Sequence, residues 1–273
     1  MSLRTLISGA FTLAMALPGW ASESSSLNPL VSRDEVLGLE AVGRLDNPDG
    51  FCSATLIAAD LVLTAAHCVY NASTGKAYGA KNLTFRAALT SGTALAEQRA
   101  MRIAVDPGYE PTGAISQARV ASDVALILLD EPISSSVADP FALHSSAPIQ
   151  GAVSVVSYGQ GRTENMSWQK ACNILARAQG VLVLDCDVTY GSSGSAIFAR
   201  ENGRYPIVSL TSATGTYRGN KAAFGMELPD TVAALKRTIR ASPTRRSTGA
   251  KRISVNDRSS RSTSQARFLK VMK

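Results

Sequence analysis

The chain has 273 residues, length for one or two domains, and its 45% hydrophobic and 18% charged content supplies a sizeable core and excludes a disordered chain. Aromatic residues reach only 6%, so that core must be built mainly from Val, Leu, Ile and Ala. Residues 236–273 hold twelve Lys or Arg and one Asp, a charge of +11 against +7 for the whole chain, which leaves −4 for residues 1–235 and assigns the basic character to the tail.

From the N-terminus, residues 1–21 read as an export signal. Arg4 gives a positive start, Leu6–Leu17 an apolar stretch, and Gly19-Trp20-Ala21 small residues at both positions needed for cleavage after Ala21. The apolar stretch is shorter than the ~20 residues that span a bilayer, so no transmembrane anchor is expected. Residues 22–40, rich in Ser and Asn as far as Arg33, read as a leader or propeptide. The expected location is secreted or periplasmic.

From Val42 onward short apolar runs alternate with Gly, Pro, Asn and Asp. They are Ala54–Ile57, Leu61–Thr64, Ile103–Val105, Val124–Leu129, Val153–Tyr158, Val181–Leu184 and Ile207–Leu210. Such spacing predicts an all-β sandwich or barrel and disfavours a parallel α/β fold. One helix follows, opening at Leu228-Pro229-Asp230-Thr231, with Val232, Leu235 and Ile239 as its apolar stripe and an end near Arg240. Four cysteines in an oxidising compartment suit two disulfides, and sequence-local pairing gives Cys52–Cys68 and Cys172–Cys186. With two histidines and no C-x-x-C spacing, no metal is expected.

Three strings carry chemistry. In Leu61-Val62-Leu63-Thr64-Ala65-Ala66-His67-Cys68 a strand runs into small residues, then a histidine whose loop a disulfide would pin. A general base needs such fixing, although a core histidine beside a cystine would look the same. In Ser122-Asp123-Val124-Ala125-Leu126 a carboxylate opens an apolar run, as a histidine's partner or as an ordinary turn residue. In Asp187-Val188-Thr189-Tyr190-Gly191-Ser192-Ser193-Gly194-Ser195 glycines flank a serine, as at an oxyanion site or in a Ser/Gly-rich hairpin. The order His, Asp, Ser separates the set from α/β-hydrolases and from subtilisins.

Taken together, the strings T-A-A-H-C, D-V-A-L and G-S-S-G-S resemble T-A-A-H-C, D-I-A-L and G-D-S-G-G of the trypsin-like (chymotrypsin-fold) serine peptidases, over about residues 40–240. D-C-D-V-T-Y-G-S-S-G-S is more similar to the bacterial branch near the glutamyl endopeptidases. The resemblance implies two six-stranded antiparallel β-barrels with a C-terminal α-helix, over a domain of residues 41–240. It implies His67 as general base, Asp123 as its orienting partner, Ser193 as nucleophile, and the N–H groups of Gly191 and Ser193 as oxyanion hole. Ser192 departs from the digestive enzymes, which have there an Asp that receives a newly cut N-terminus. The cystine that those enzymes carry beside the specificity pocket also has no counterpart.

The expected activity is hydrolysis of protein or peptide substrates through an acyl-enzyme, without a cofactor. Asp187 stands six residues before Ser193, where trypsins have the pocket-floor Asp, and this predicts cleavage after Arg or Lys, with a small or apolar residue as the alternative. Pro206-Ile207-Val208-Ser209-Leu210 lacks the histidine that would support glutamyl specificity. A non-catalytic peptide- or surface-binding member of the same fold is the competing class. The tail, residues 241–273, reads as flexible and basic, with weak contact to anionic surfaces. Its single aromatic, Phe268, gives no basis for specific nucleic-acid binding.

Overall fold

A computed structural model describes residues 25–145, 149 and 151–241. Residues 1–24, with the expected export signal, and residues 242–273 of the basic tail lie outside the described residues.

The chain enters through β1 (Leu27–Pro29) and then builds a closed barrel from β2 (Val42–Asn47), β3 (Gly50–Ala58), β4 (Leu61–Thr64), β5 (Thr84–Ala87), β6 (Ala96–Val105) and β7 (Ala125–Leu129). The strands run antiparallel in the order β2-β3-β4-β7-β6-β5, with β5 returning to β2. A short helix, α1 (Gln117–Ala121), interrupts the path from β6 to β7.

The second barrel uses β8 (Ala152–Gly159), β9 (Arg162–Ala178), β10 (Val181–Leu184), β11 (Ala196–Phe198), β12 (Ile207–Tyr217) and β13 (Asn220–Met226). Its antiparallel order is β8-β9-β10-β13-β12-β11, closed by pairing of β11 with β8. Two six-stranded antiparallel barrels and a C-terminal helix, α2 (Pro229–Ala241), make this the chymotrypsin-like architecture that the resemblance implied.

Each barrel has its own apolar interior. Leu45, Leu56, Val62, Phe85 and Ile127 fill the first, and Val155, Leu182, Leu184 and Ile197 the second. A third cluster lies between them, where Leu63, Leu126 and Leu128 meet Tyr158, Phe198 and Leu210. The stripe of α2, Val232, Leu235 and Ile239, belongs to this third cluster. Each such side chain contributes about 1.5–3 kcal/mol by leaving water. Arg240 of α2 also forks onto both carboxylate oxygens of Asp60, at 3.0 and 2.6 Å.

Residues 25–40, which fall within the expected leader or propeptide of residues 22–40, pack on the body of the fold. Strand β1 adds to the outer edge of β9, pairing Leu27 with Gln169 and Pro29 with Ser167. Ser25 exchanges backbone and side-chain hydrogen bonds with Ala171, and its carbonyl accepts from Gln169 Nε2 at 2.9 Å. Leu30, Val36 and Leu39 are buried in the cluster between the barrels. These three are spaced too irregularly for either a helical or a strand period, so the sequence carries no pattern that announces their burial. Both disulfides take the sequence-local pairing, Cys52–Cys68 and Cys172–Cys186.

Candidate active site

His67 lies in a 3-10 turn, Ala66–Val69, directly after β4. Ala65 and Ala66 are fully buried, so the turn packs flush against the barrel, and Cys68 ties it to Cys52 on β3. Asp123 ends the loop that enters β7 and is also buried. Its carboxylate accepts from the His67 backbone N–H at 2.8 Å through Oδ1, and Oδ2 faces His67 Nδ1 at 2.7 Å. Ser212 Oγ donates to the same Oδ2 at 2.6 Å. Three hydrogen bonds compensate the cost of burying this charge. A carboxylate can only accept, so Nδ1 carries the proton and the lone pair resides on Nε2.

Ser193 comes from the second barrel, on the loop before β11, and lines the same cleft as His67, Asp123 and Ser212. The cleft encloses about 600 Å³. The loop is folded by its own hydrogen bonds: Ser192 N–H to Thr189 O at 2.9 Å, Gly194 N–H to Thr211 O at 2.7 Å, and Ser195 N–H to Ser192 O at 3.0 Å. Among the described residues, the N–H groups of Gly191 and Ser193 have no such acceptor. Two unused donors flanking one peptide unit make a site for a developing negative charge.

Gly191 and Gly194 both have left-handed backbones, φ 88° and 75°. At Gly194 a Cβ would strike Thr64 Oγ1 and the Ser53 carbonyl, so the position requires glycine twice over. Ser195 is fully buried and donates to Thr211 Oγ1 at 2.9 Å, a packing role.

Ser53, on β3 beside Cys52, was not singled out in the sequence. Its backbone N–H donates to Ser193 O at 2.8 Å, its Oγ donates to Gly191 O at 2.9 Å, and the same Oγ accepts from Tyr158 N–H at 2.9 Å. One buried serine of the first barrel thus fastens the loop of the second. Proximity to Cys52 was the only signal for it.

Asp187 does not occupy a buried pocket floor. Its side chain is 59% exposed and pairs with Lys221 Nζ at 2.8 Å, at the start of β13. In the loop after β10 its two chain neighbours, Cys186 and Val188, are buried, and Asp187 faces out. Lys221 lines the cleft, together with Thr189, Tyr190 and Thr211–Thr214. Arg119 is a second cation in the lining, held by Tyr109 Oη at 3.3 Å and Pro111 O at 3.0 Å.

Among the described residues, Cys52, His67 and Cys68 form the only cluster dense enough to suggest a metal. Both sulfurs are spent in the disulfide, so no thiolate ligand is available. No helix among the described residues is long and apolar enough to cross a membrane.

Comparison with solved structures agrees with this architecture. A Glu endopeptidase, solved in complex with MPD, superposes with a TM-score of 0.65 at 19% identity, covering 81% of this chain and 98% of its own. A thermostable serine protease, AL20, from an extremophilic microorganism gives 0.60 at 18% identity, covering 75% and 98%. At such identities the likeness concerns the fold. Comparison with curated proteins returns no match. The family model described as a trypsin-like peptidase domain matches residues 52–205, more than half of the chain and the span from the first disulfide through the Ser193 loop, so the chain belongs to the trypsin-like peptidase family.

Proposed function

We propose that this protein is a secreted or periplasmic serine endopeptidase that cleaves protein or peptide substrates through an acyl-enzyme. The observation that carries the reading is the Asp123 carboxylate on His67 Nδ1, in one cleft with a serine flanked by two unused N–H donors. His67 Nε2 takes the Ser193 hydroxyl proton as Oγ attacks the scissile carbonyl carbon. The oxyanion is received by Gly191 and Ser193 N–H. His67 then returns the proton to the leaving amine, the C–N bond breaks, and water cleaves the resulting ester by the same base. Export is supported by two disulfides, which persist in oxidising compartments.

For the residue before the scissile bond, the sequence favours Arg or Lys through Asp187. A second reading has a specific observation behind it. The charged side chains lining the cleft are Lys221, Arg119 and Asp123, and the carboxylate of Asp123 is committed to His67 and Ser212. Asp187 and Lys221 pair with each other, and of the two only Lys221 lines the cleft. A cation at the cleft wall makes a charge-assisted hydrogen bond to an acidic substrate side chain. One structural neighbour is a Glu endopeptidase, in agreement with that preference.

The test of the catalytic reading is labelling by a fluorophosphonate, which reacts only with an activated serine. Wild type should be labelled at Ser193, and Ser193→Ala should lose both labelling and hydrolysis while keeping its fold. Retained hydrolysis in Ser193→Ala, with loss in Ser195→Ala, would assign the nucleophile elsewhere.

A further inference from the structure

One charged group near the site has no part in the chemistry above. Arg162 opens β9 immediately after the tight turn Gln160-Gly161, where it pairs across the hairpin with Gly159. Its side chain folds back over Gly159, and a Cβ at that glycine would lie 2.7 Å from Nη2 and 2.9 Å from Cζ. The guanidinium then enters the wall beneath the Ser193 loop. Nη1 donates to Ser157 O, and Nη2 donates to Ser157 Oγ at 2.9 Å and to Ser192 Oγ at 3.0 Å.

Ser192 is fully buried and is the residue between the two unused donors, Gly191 and Ser193. Its hydroxyl is a junction. It accepts from Arg162, donates to Tyr158 O at 3.1 Å, and lies 3.3 Å from both Ser157 Oγ and Thr189 N. The peptide units on either side of Ser192 carry the N–H groups of Ser193 and of Ser192 itself, the latter already bonded to Thr189 O. Holding this side chain restrains Ser192, the residue whose backbone torsion sets the direction of the Ser193 N–H.

Among the described residues Arg162 forms no salt bridge. Burial weakens its hold on the proton, to a pKa of about 10, with the more distant Asp187 acting in the opposite sense, so at neutral pH it remains a cation. A half-buried cation without a carboxylate gains little stability, and an apolar residue would cover the same surface without that desolvation cost. What the apolar residue cannot do is hold Ser157 and Ser192 together through one rigid fork.

We propose that Arg162 is the positioning residue of the oxyanion site: through Ser192 Oγ it holds the Gly191–Ser193 segment in the conformation that leaves both N–H groups unused. This deepens the serine peptidase reading and rests on it. A donor aimed at charge that develops only in the transition state contributes to kcat and not to ground-state binding.

The experiment compares wild type, Arg162→Met, Arg162→Lys, Ser192→Ala and the Arg162→Met/Ser192→Ala double variant in full-length protein. For each, kcat and KM on one peptide substrate are measured together with thermal unfolding. Wild-type labelling of Ser193 is measured first, and its absence overturns the catalytic reading and this proposal together. The expected result for Arg162→Met is a loss of roughly 10²-fold in kcat, the scale of one lost oxyanion donor, with KM within threefold. Arg162→Lys should be intermediate. The double variant should be no worse than the weaker single one, because both act through one contact. A folded Arg162→Met with kcat within threefold of wild type overturns the proposal. So does a loss confined to KM, or losses that simply multiply in the double variant. If Arg162→Met does not fold, Ser192→Ala decides: wild-type kcat there overturns the proposal, and a kcat at least tenfold lower at unchanged KM upholds it.

Discussion

Ser212 Oγ and His67 Nδ1 meet on the same oxygen of Asp123, at 2.6 and 2.7 Å. Ser212 belongs to β12 of the second barrel, and His67 and Asp123 belong to the first. The second barrel thus takes part in orienting His67 of the first. Ser212→Ala should remove one hydrogen bond to a charged group, about 1.5–3 kcal/mol, and lower kcat by roughly tenfold or more with the fold intact. Asp123→Asn should be far worse, about 10⁴-fold, because an amide favours the wrong histidine tautomer. Steady-state kinetics on one peptide checks both, and a Ser212→Ala enzyme with unchanged kcat would make that contact incidental.

The Cys52–Cys68 disulfide closes a loop of sequence separation 16 and flanks both Ser53 and His67. Replacing the pair by alanines should cost about 2–4 kcal/mol in denaturant unfolding. Activity should fall further than stability requires, because both the histidine turn and the Ser53 clamp lose their anchor. Kinetics under conditions where the variant is fully folded separate the two effects. Full activity there would confine the disulfide to a stabilising role.

The segment around Leu30 is predicted to stay with the mature protein. Leu30→Ala should destabilise by about 2–5 kcal/mol, the range for a buried leucine truncated to alanine. Deleting residues 22–33 should cost more, since the pairing of β1 with β9 goes with it. N-terminal sequencing of the exported protein should find a start before Ser25. A fully stable, active form beginning after Arg33 would return the segment to the leader.

Substrate preference follows which member of the Lys221–Asp187 pair faces the peptide. Three chromogenic peptides differing only by Glu, Arg or Ala before the scissile bond are sufficient. With Lys221 as the recognition group, the Glu peptide is preferred, and Lys221→Gln lowers its kcat/KM by roughly tenfold, the scale of one charged hydrogen bond. A preference for Arg that disappears in Asp187→Ser would assign recognition to the carboxylate instead.

The barrels' central strands and the α2 stripe were legible in the sequence because each has a local signature, and the same strings singled out His67, Asp123 and Ser193, which line one cleft. The buried β7 reads as an unbroken apolar run, and Val232, Leu235 and Ile239 recur at helical spacing. Strand β9 escaped notice because much of it is exposed and polar, and its place is set by partners in β8, β10 and β1. The roles of Ser53, Ser212 and Arg162 were decided by the tertiary structure alone. Ser53 reaches Gly191 across 138 residues, Ser212 reaches Asp123 across 89, and Arg162 reaches Ser192 across 30. A hydroxyl or a guanidinium has no periodicity that declares its partner, and only closure of the two barrels brings these groups within hydrogen-bonding distance. The same holds for Asp187: its offset from Ser193 is a property of the sequence, but whether its carboxylate faces a pocket or solvent depends on the course of the loop after β10, which buries Cys186 and Val188 and leaves Asp187 exposed.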